Sequence, residues 1–324
     1  MTNEPRRNRG GDEEHRNESQ GIGAIGVGAV RAHGHVNRQL CARCSPLEGC
    51  VATVPAMSTA RLYASSALRI VRRGRRLGSE GRLVFVVGSP RSGTTFTGSA
   101  LGSLPGFVDL DEVQPWKAAI PGLLGKPDVE VAAQARTIIE RVRRLGLATG
   151  LRGVEQTPET SFVLPAVLAA YPEAIAVHVV RDGRDVATSL LERGWLNADR
   201  VGADDARLAF GPHPRFWVEH GREDEFATVS DATRCAWAWR RYVNGAQRSP
   251  DRTVTMRYEE LVTDPRAAAV PVAALLGVAV DDVATAFAKV HDRSAGRWRR
   301  DLTDEQVADV EREAGETLRE LGYT

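Results

Sequence analysis

Leu83-Val84-Phe85-Val86-Val87-Gly88-Ser89-Pro90-Arg91-Ser92-Gly93-Thr94-Thr95 joins a continuous apolar, β-branched run to a glycine-rich turn. An uninterrupted apolar run leaves no face for solvent, which suits a strand buried in a parallel sheet. A helix is predicted from about Thr94 to Leu104, so the turn lies between a strand and a helix N-terminus. Backbone N–H groups in that position form a cradle for an anion. The Walker A pattern asks for Gly, four residues, Gly, Lys, then Ser or Thr. Gly88 and Gly93 keep that spacing, but Thr94 stands in the lysine position. A nucleoside-triphosphate kinase places that lysine on its β- and γ-phosphates, so its absence argues against transfer from ATP. The cation of this loop is Arg91, and the bland alternative is a tight turn with no ligand.

Outward from this unit the alternation continues. Val129–Leu145 and Ser161–Ala170 have amphipathic helical spacing, and Ala174–Val180 is a second buried strand followed by a helix over Asp185–Glu192. Asp231–Gln247 is a helix capped by Ser230 or Asp231, and Thr253–Arg257 is a third strand. Helices are predicted at Ala267–Leu276, Asp281–Lys289 and Asp304–Leu321. Strands alternating with helices imply an α/β fold, a doubly wound parallel sheet flanked by helices. No internal repeat is visible.

Before the first strand the texture differs. Residues 1–56 are rich in Gly, Arg, Asn, Glu and Ser and lack apolar periodicity, so they read as a disordered or spurious tail. Met57 is a second candidate start, and residues 57–80 form a helical lead-in, with helical character over Leu62–Arg76. The 324 residues, 42% hydrophobic and 26% charged, are enough for one large domain or two small ones with a well-buried core. A net charge of +1 argues against a general nucleic-acid binder. Of 43 basic residues only Lys117, Lys126 and Lys289 are lysine. No run reaches the roughly 18–20 apolar residues of a membrane span. Gly21–Val30 is short and lacks a small-residue cleavage site, so a cytoplasmic protein is the expectation. Cys41, Cys44 and Cys50 with His33 and His35 sketch a zinc site, but no strand or helix pattern holds them. They read, like Cys235, as free thiols, and no metal is expected.

Pro90-Arg91-Ser92-Gly93-Thr94-Thr95 resembles the 5′-phosphosulfate loop of the sulfotransferases that use 3′-phosphoadenosine 5′-phosphosulfate (PAPS). The arginine form is that of the tyrosylprotein, Golgi-type and many bacterial members. A second segment, Arg181-Asp182-Gly183-Arg184-Asp185-Val186-Ala187-Thr188-Ser189, is similar to the family's 3′-phosphate motif, an Arg at a strand end and a Ser eight residues on. The resemblance implies PAPS as co-substrate. Arg91, Ser92, Gly93, Thr94 and Thr95 would hold the 5′-phosphate and sulfuryl oxygens, and Arg181 and Ser189 the 3′-phosphate. A guanidinium fork and a hydroxyl are apt donors to a phosphate monoester. The plainer reading is that Arg181 and Asp185 merely pair at a helix start. Met256–Pro265 resembles the family's Tyr-Glu-Asp/Glu-Leu segment and puts Tyr258 near the adenine, unless it is simply packed at a strand end. Ser294–Arg299 is similar to the Gly-x-Trp element of the family's cofactor loop, which makes Arg297 a further 3′-phosphate candidate. The fuller Arg-Lys-Gly of the cytosolic branch is missing there. The likeness covers residues 81–324, the sulfotransferase domain.

Sulfuryl transfer needs a base for the acceptor proton. In the tyrosylprotein branch that base is a Glu shortly after the first helix. Here Pro105–Glu112 occupies the segment, and Glu112 lies at the family's offset from Arg91; the alternative is a solvated acidic loop. The cytosolic branch uses a His after a later strand, where this chain reads Val154-Glu155-Gln156-Thr157-Pro158. Glu155 is the second candidate base, and Gln156 stands where bacterial members often have Lys. His178 falls in a buried-strand pattern and is read as packed, while His213 and His220 stay open. Arg193–Ser230, with Trp195, Phe210, Phe216, Trp217 and Phe226, is expected to cap the acceptor site. The acceptor itself, a small molecule, glycan or lipid, is not legible, and a homodimer is left open. The rival readings are a P-loop kinase and a non-catalytic nucleotide-fold binding protein.

Overall fold

Leu83–Val87 is strand β1, buried along its whole length. The computed structural model describes residues 58–74, 78, 80–211, 217–290 and 295–324. The cysteine–histidine group at residues 33–50, the tail, His213, Phe216 and Ser294 lie outside them. β1 is flanked on both sides by parallel partners in a five-stranded sheet ordered β2-β3-β1-β4-β5. These strands are β2 Phe107–Asp111, β3 Arg152–Glu155, β4 Ile175–Val180 and β5 Thr253–Arg257. Val84 pairs with Val154 on one side, and Val86 with Val177 on the other.

The pleat of β1 divides the core. Leu83, Phe85 and Val87 face one apolar cluster, which helices α1 Thr59–Arg72, α3 Gln114–Ala119, α4 Asp128–Leu145 and α5 Leu164–Ala170 complete. Val84 and Val86 face the other, built with α2 Thr94–Gly102, α9 Tyr258–Thr263, α10 Pro265–Leu276 and α11 Val280–Phe287. A third cluster joins Val180 to α6 Gly183–Arg193, α8 Asp231–Ala246 and α13 Asp304–Glu320, with α7 Glu223–Thr228 and the short α12 Trp298–Asp301 nearby. Helices on both faces of a parallel sheet make the fold doubly wound, as the alternation in the sequence implied.

Several boundaries differ from expectation. Residues 158–163 form a 3₁₀ turn before α5 rather than the first turns of a helix. α6 starts two residues early because the Asp182 side chain caps it, accepting from Arg184 N. Ser230, not Asp231, caps α8. The acidic segment read as an alternative surface loop is strand β2. Its Asp109 is buried and held by Ser99 Oγ at 2.8 Å and by the Arg73 guanidinium. α1 is part of this core, with Tyr63 and Ile70 buried in it.

Candidate active site

The loop between β1 and α2 takes a shape that few side chains allow. Gly88 has φ +140°, and a Cβ there would lie 2.3 Å from the Val179 carbonyl oxygen of β4. Gly93 has φ +99°, and a Cβ would come within 2.8 Å of the Tyr258 ring. Arg91 adopts φ +73°, a left-handed conformation that costs a non-glycine residue free energy and persists only where the surroundings impose it. They do so at both ends of the residue. Arg181 Nη1 donates to the Arg91 carbonyl at 3.1 Å, and Arg91 Nε donates to Ser189 Oγ at 3.0 Å. Burial, with the guanidinium groups of Arg193 and Arg181 nearby, lowers the Arg91 pKa from its ordinary value. An anion bound at this loop would relieve that crowding. The buried Ser92 hydroxyl has no hydrogen-bond partner among the described residues. A cradle with a spare hydroxyl, two guanidinium groups and a helix N-terminus fits a phosphosulfate.

Two cavities of about 240 Å³ each open on this loop. Arg181 and Tyr258 line the first, with the guanidinium 4.9 Å from the ring centroid. Glu112, Lys117, Glu159 and Tyr242 line the second, under the aromatic rings of Trp195 and Trp217. Arg91, Thr94 and Thr95 line both. Phe210, stacked on Trp195 at 6.1 Å, joins the second cavity, whereas Phe226 packs edge-on against Trp237 at 5.5 Å.

Glu112 reaches its cavity through a strained corner. The pairing of β2 with β3 shifts register between Asp109 and Asp111, and Asp111 has φ +61°. Its backbone N–H donates to Asp109 Oδ1 at 2.8 Å, and Gln156 Nε2 donates to its Oδ1 at 2.8 Å. Arg69 of α1 and Arg73, its C-cap, pair with its Oδ2 at 3.4 and 3.0 Å. Beyond this corner Glu112 Oε2 accepts from Lys117 Nζ at 2.7 Å. Burial raises the Glu112 pKa, Lys117 pulls it down, and Glu159 and Asp111 push it up; the net direction is upward. A carboxyl so placed is suited to take a proton.

Glu155 lies elsewhere. It is fully buried at the end of β3, accepts from Thr157 N at 2.9 Å and Thr160 Oγ1 at 3.2 Å, and lines neither cavity. Burial pushes its carboxyl up to about 8 from 4.5. A carboxyl raised on folding stabilises the protein fully below its unfolded pKa, and that contribution is lost as pH rises through the folded one. Glu155→Gln keeps an acceptor for Thr157 N and cannot ionise. It is expected to flatten the fall in stability between about pH 4.5 and 8 while leaving turnover near normal. Denaturant melts across that range, with a rate assay beside them, check this; a large loss of turnover in a folded Glu155→Gln would return the base role to Glu155.

The remaining expected residues divide. Ser189 lines neither cavity and instead accepts from Arg91 Nε. Arg181 Nη2 stands 3.6 Å from Asp185 Oδ2, but the Asp185 carboxylate is also taken by Gly296 N at 2.6 Å and Trp298 N at 3.0 Å. Asp185 thereby ties the Gly296–Trp298 segment to α6. Arg297 pairs with Glu192 and with Asp301 at 2.8 Å, and lines neither cavity. His178 is fully buried and burial pushes it down to about 4, as a packed side chain. His220 is exposed beside Glu223. Lys117, Glu159, Asp204 and Tyr242 escaped the sequence reading; a rare lysine five residues after Glu112 was the one signal available. Among the described residues no cluster of His, Cys, Asp or Glu is set to hold a metal ion, and no helix is long and apolar enough to cross a membrane.

A model described as the sulfotransferase family matches residues 128–282. That stretch contains Arg181, Ser189 and Tyr258 but not the loop at Arg91. Among solved structures, the sulfotransferase domain of the Synechococcus PCC 7002 olefin synthase is 16% identical, with 74% of this chain and 96% of that one covered at a TM-score of 0.44. Sulfotransferase STF9 from Mycobacterium avium is 14% identical, with 82% of each chain covered at a TM-score of 0.44. No curated protein matches the chain.

Proposed function

We propose, from the match of residues 128–282 to the sulfotransferase family model, that the protein moves a sulfuryl group from PAPS to a hydroxyl or amine of an acceptor held beside Glu112. One observation carries the reading: two cavities, one lined by Arg181 and Tyr258 and one by Glu112 and Lys117, meet at Arg91, Thr94 and Thr95. The loop amides and Arg91 would hold the 5′-phosphosulfate, Arg181 the 3′-phosphate, and Tyr258 the adenine. The acceptor oxygen attacks sulfur in line as the bond from sulfur to the 5′-phosphate oxygen breaks. Its proton passes to the Glu112 carboxylate, and the leaving 3′,5′-adenosine diphosphate (PAP) keeps the bonding pair. Holding both partners in line across the shared loop supplies proximity, and Arg91 with the loop N–H groups neutralises charge on the leaving phosphate.

The kinase reading lacks the loop lysine that ATP chemistry uses, since Thr94 stands there. A purely binding role leaves the pairing of half-buried Glu112 with buried Lys117 at the junction without a purpose. The test is transfer of labelled sulfuryl from PAPS to phenolic, sugar and lipid alcohols, with PAP formed in equal amount. Transfer to at least one class supports the proposal; absence of transfer to all, by protein that binds PAP, favours the binding-protein reading.

A further inference from the structure

Lys117 is one of three lysines in a chain with 43 basic residues, and its side chain is 9% exposed at the wall of the Glu112 cavity. Three carboxylates from separate segments converge on its Nζ: Glu112 Oε2 at 2.7 Å, Asp204 Oδ2 at 3.3 Å and Glu159 Oε1 at 3.9 Å. Each of these acids is fixed in its own right. Glu112 follows the left-handed corner at Asp111. Glu159 Oε1 accepts from the Tyr242 hydroxyl at 3.0 Å, on α8. Asp204 Oδ1 accepts from Ala206 N and Leu208 N at 2.9 Å, which closes a turn in the segment between α6 and α7. Lys117 therefore joins the proposed base to the chain segment that walls the acceptor cavity.

The electrostatics give that junction a purpose. A buried carboxylate takes up a proton unless a cation or donor stabilises its charged form, and a general base has to be ionised to act. Glu112 has Glu159 and Asp111 close by, both of which disfavour its charge, and Lys117 opposes them. Arg91 of the phosphate loop and Asp205 complete the charged lining, and Asp205 is drawn aside by Arg69 Nη2 at 3.0 Å. Burial alone would discharge the Lys117 ammonium, but Glu159, Glu112 and Asp204 outweigh it and keep the group charged.

The geometry points to Lys117 as a positioning residue that holds the Glu112 carboxylate aimed at the acceptor cavity in its ionised form and anchors it to Asp204. This rests on the reading of Glu112 as the base. Removing the ammonium leaves Glu112 protonated to higher pH, so its titration moves upward by about 1–3 pH units, the range an opposite charge at this distance commands.

The experiment follows the Glu112 side-chain carboxyl by carbon NMR in the full chain saturated with PAP, with Glu112→Gln identifying the signal. Lys117→Gln, which keeps a hydrogen-bond donor and loses the charge, is expected to shift the titration up by about 1–3 units. Lys117→Arg is expected to restore most of it, and PAP affinity to stay unchanged throughout. Asp204→Asn frees Lys117 for Glu112 and is expected to move the titration down or not at all, opposite to Lys117→Gln. The acid limb of the kcat/KM profile moves with the NMR titration in each variant. An unmoved titration in folded Lys117→Gln, or an upward move in Asp204→Asn, overturns the proposal. If Lys117→Gln does not fold, the sign in Asp204→Asn decides alone. The NMR readout needs no acceptor, so failure of the wild type to transfer sulfuryl is a separate result that sinks only the functional reading.

Discussion

Glu112→Gln is expected to lower turnover by about 10²–10⁴, the usual range for loss of a general base, while PAP affinity stays within a few-fold. The two readouts separate because the structure puts the two groups in different cavities. Glu112 lines the cavity under Trp195 and Trp217, and Arg181 and Tyr258 line the other. Gln is close in volume and keeps an oxygen for Lys117 Nζ, so the 2.7 Å contact survives in weakened form. Glu159 and Asp204 still neutralise the ammonium. The loss is therefore one of chemistry rather than of fold. Single-turnover rates and PAP titration on the same preparation check it; near-normal turnover in Glu112→Gln would remove Glu112 from the proton transfer.

Arg181→Ala is expected to give the mirror image, a loss of nucleotide affinity. One hydrogen bond to a charged group contributes about 1.5–3 kcal/mol, which corresponds to roughly 10- to 150-fold weaker PAP binding at about 1.4 kcal/mol per tenfold. The upper end is favoured because Arg181 does two things. It faces the cavity over Tyr258, and it also donates to the carbonyl of Arg91 at 3.1 Å. Truncation removes the proposed phosphate ligand and loosens the left-handed residue at the centre of the loop. Arg181→Lys keeps charge but cannot reach both partners with a planar fork, so it should recover only part of the affinity. Calorimetric titration of PAP decides; an affinity unchanged in Arg181→Ala would dissociate this residue from the nucleotide.

The legible part of this fold was the part written in uninterrupted apolar runs. β1 is such a run, β4 is one broken only by the buried His178, and the glycines at 88 and 93 marked the turn between β1 and α2. β2 and β3 were obscured because they carry acids, Asp109 and Glu155, at buried positions. Asp109 is tolerated in a strand because Arg73, far away in sequence, neutralises it and Ser99 Oγ donates to it. The same non-locality hid half of the candidate site. Glu112 could be picked from its offset to Arg91, but its aim depends on a register shift against β3. Glu159 and Asp204 reach Lys117 because β3 lies beside β2 and Asp204 comes in from the segment after α6, and neither juxtaposition has a local signature. Arg297 shows the reverse case. A motif likeness suggested a phosphate contact, while the structure pairs it with Glu192 of α6 and with Asp301.

The measurement closest to the central claim compares the thermal stabilisation of the full chain by PAP and by ATP with Mg²⁺. Both carry adenine and phosphates, but only PAP offers a 3′-phosphate to Arg181, and only ATP calls on the lysine that Thr94 replaces. At about 100-fold over its dissociation constant, PAP should stabilise the protein by roughly 2.7 kcal/mol, with Mg-ATP at equal concentration giving a much smaller shift. A larger response to Mg-ATP than to PAP would contradict the sulfuryl-transfer account.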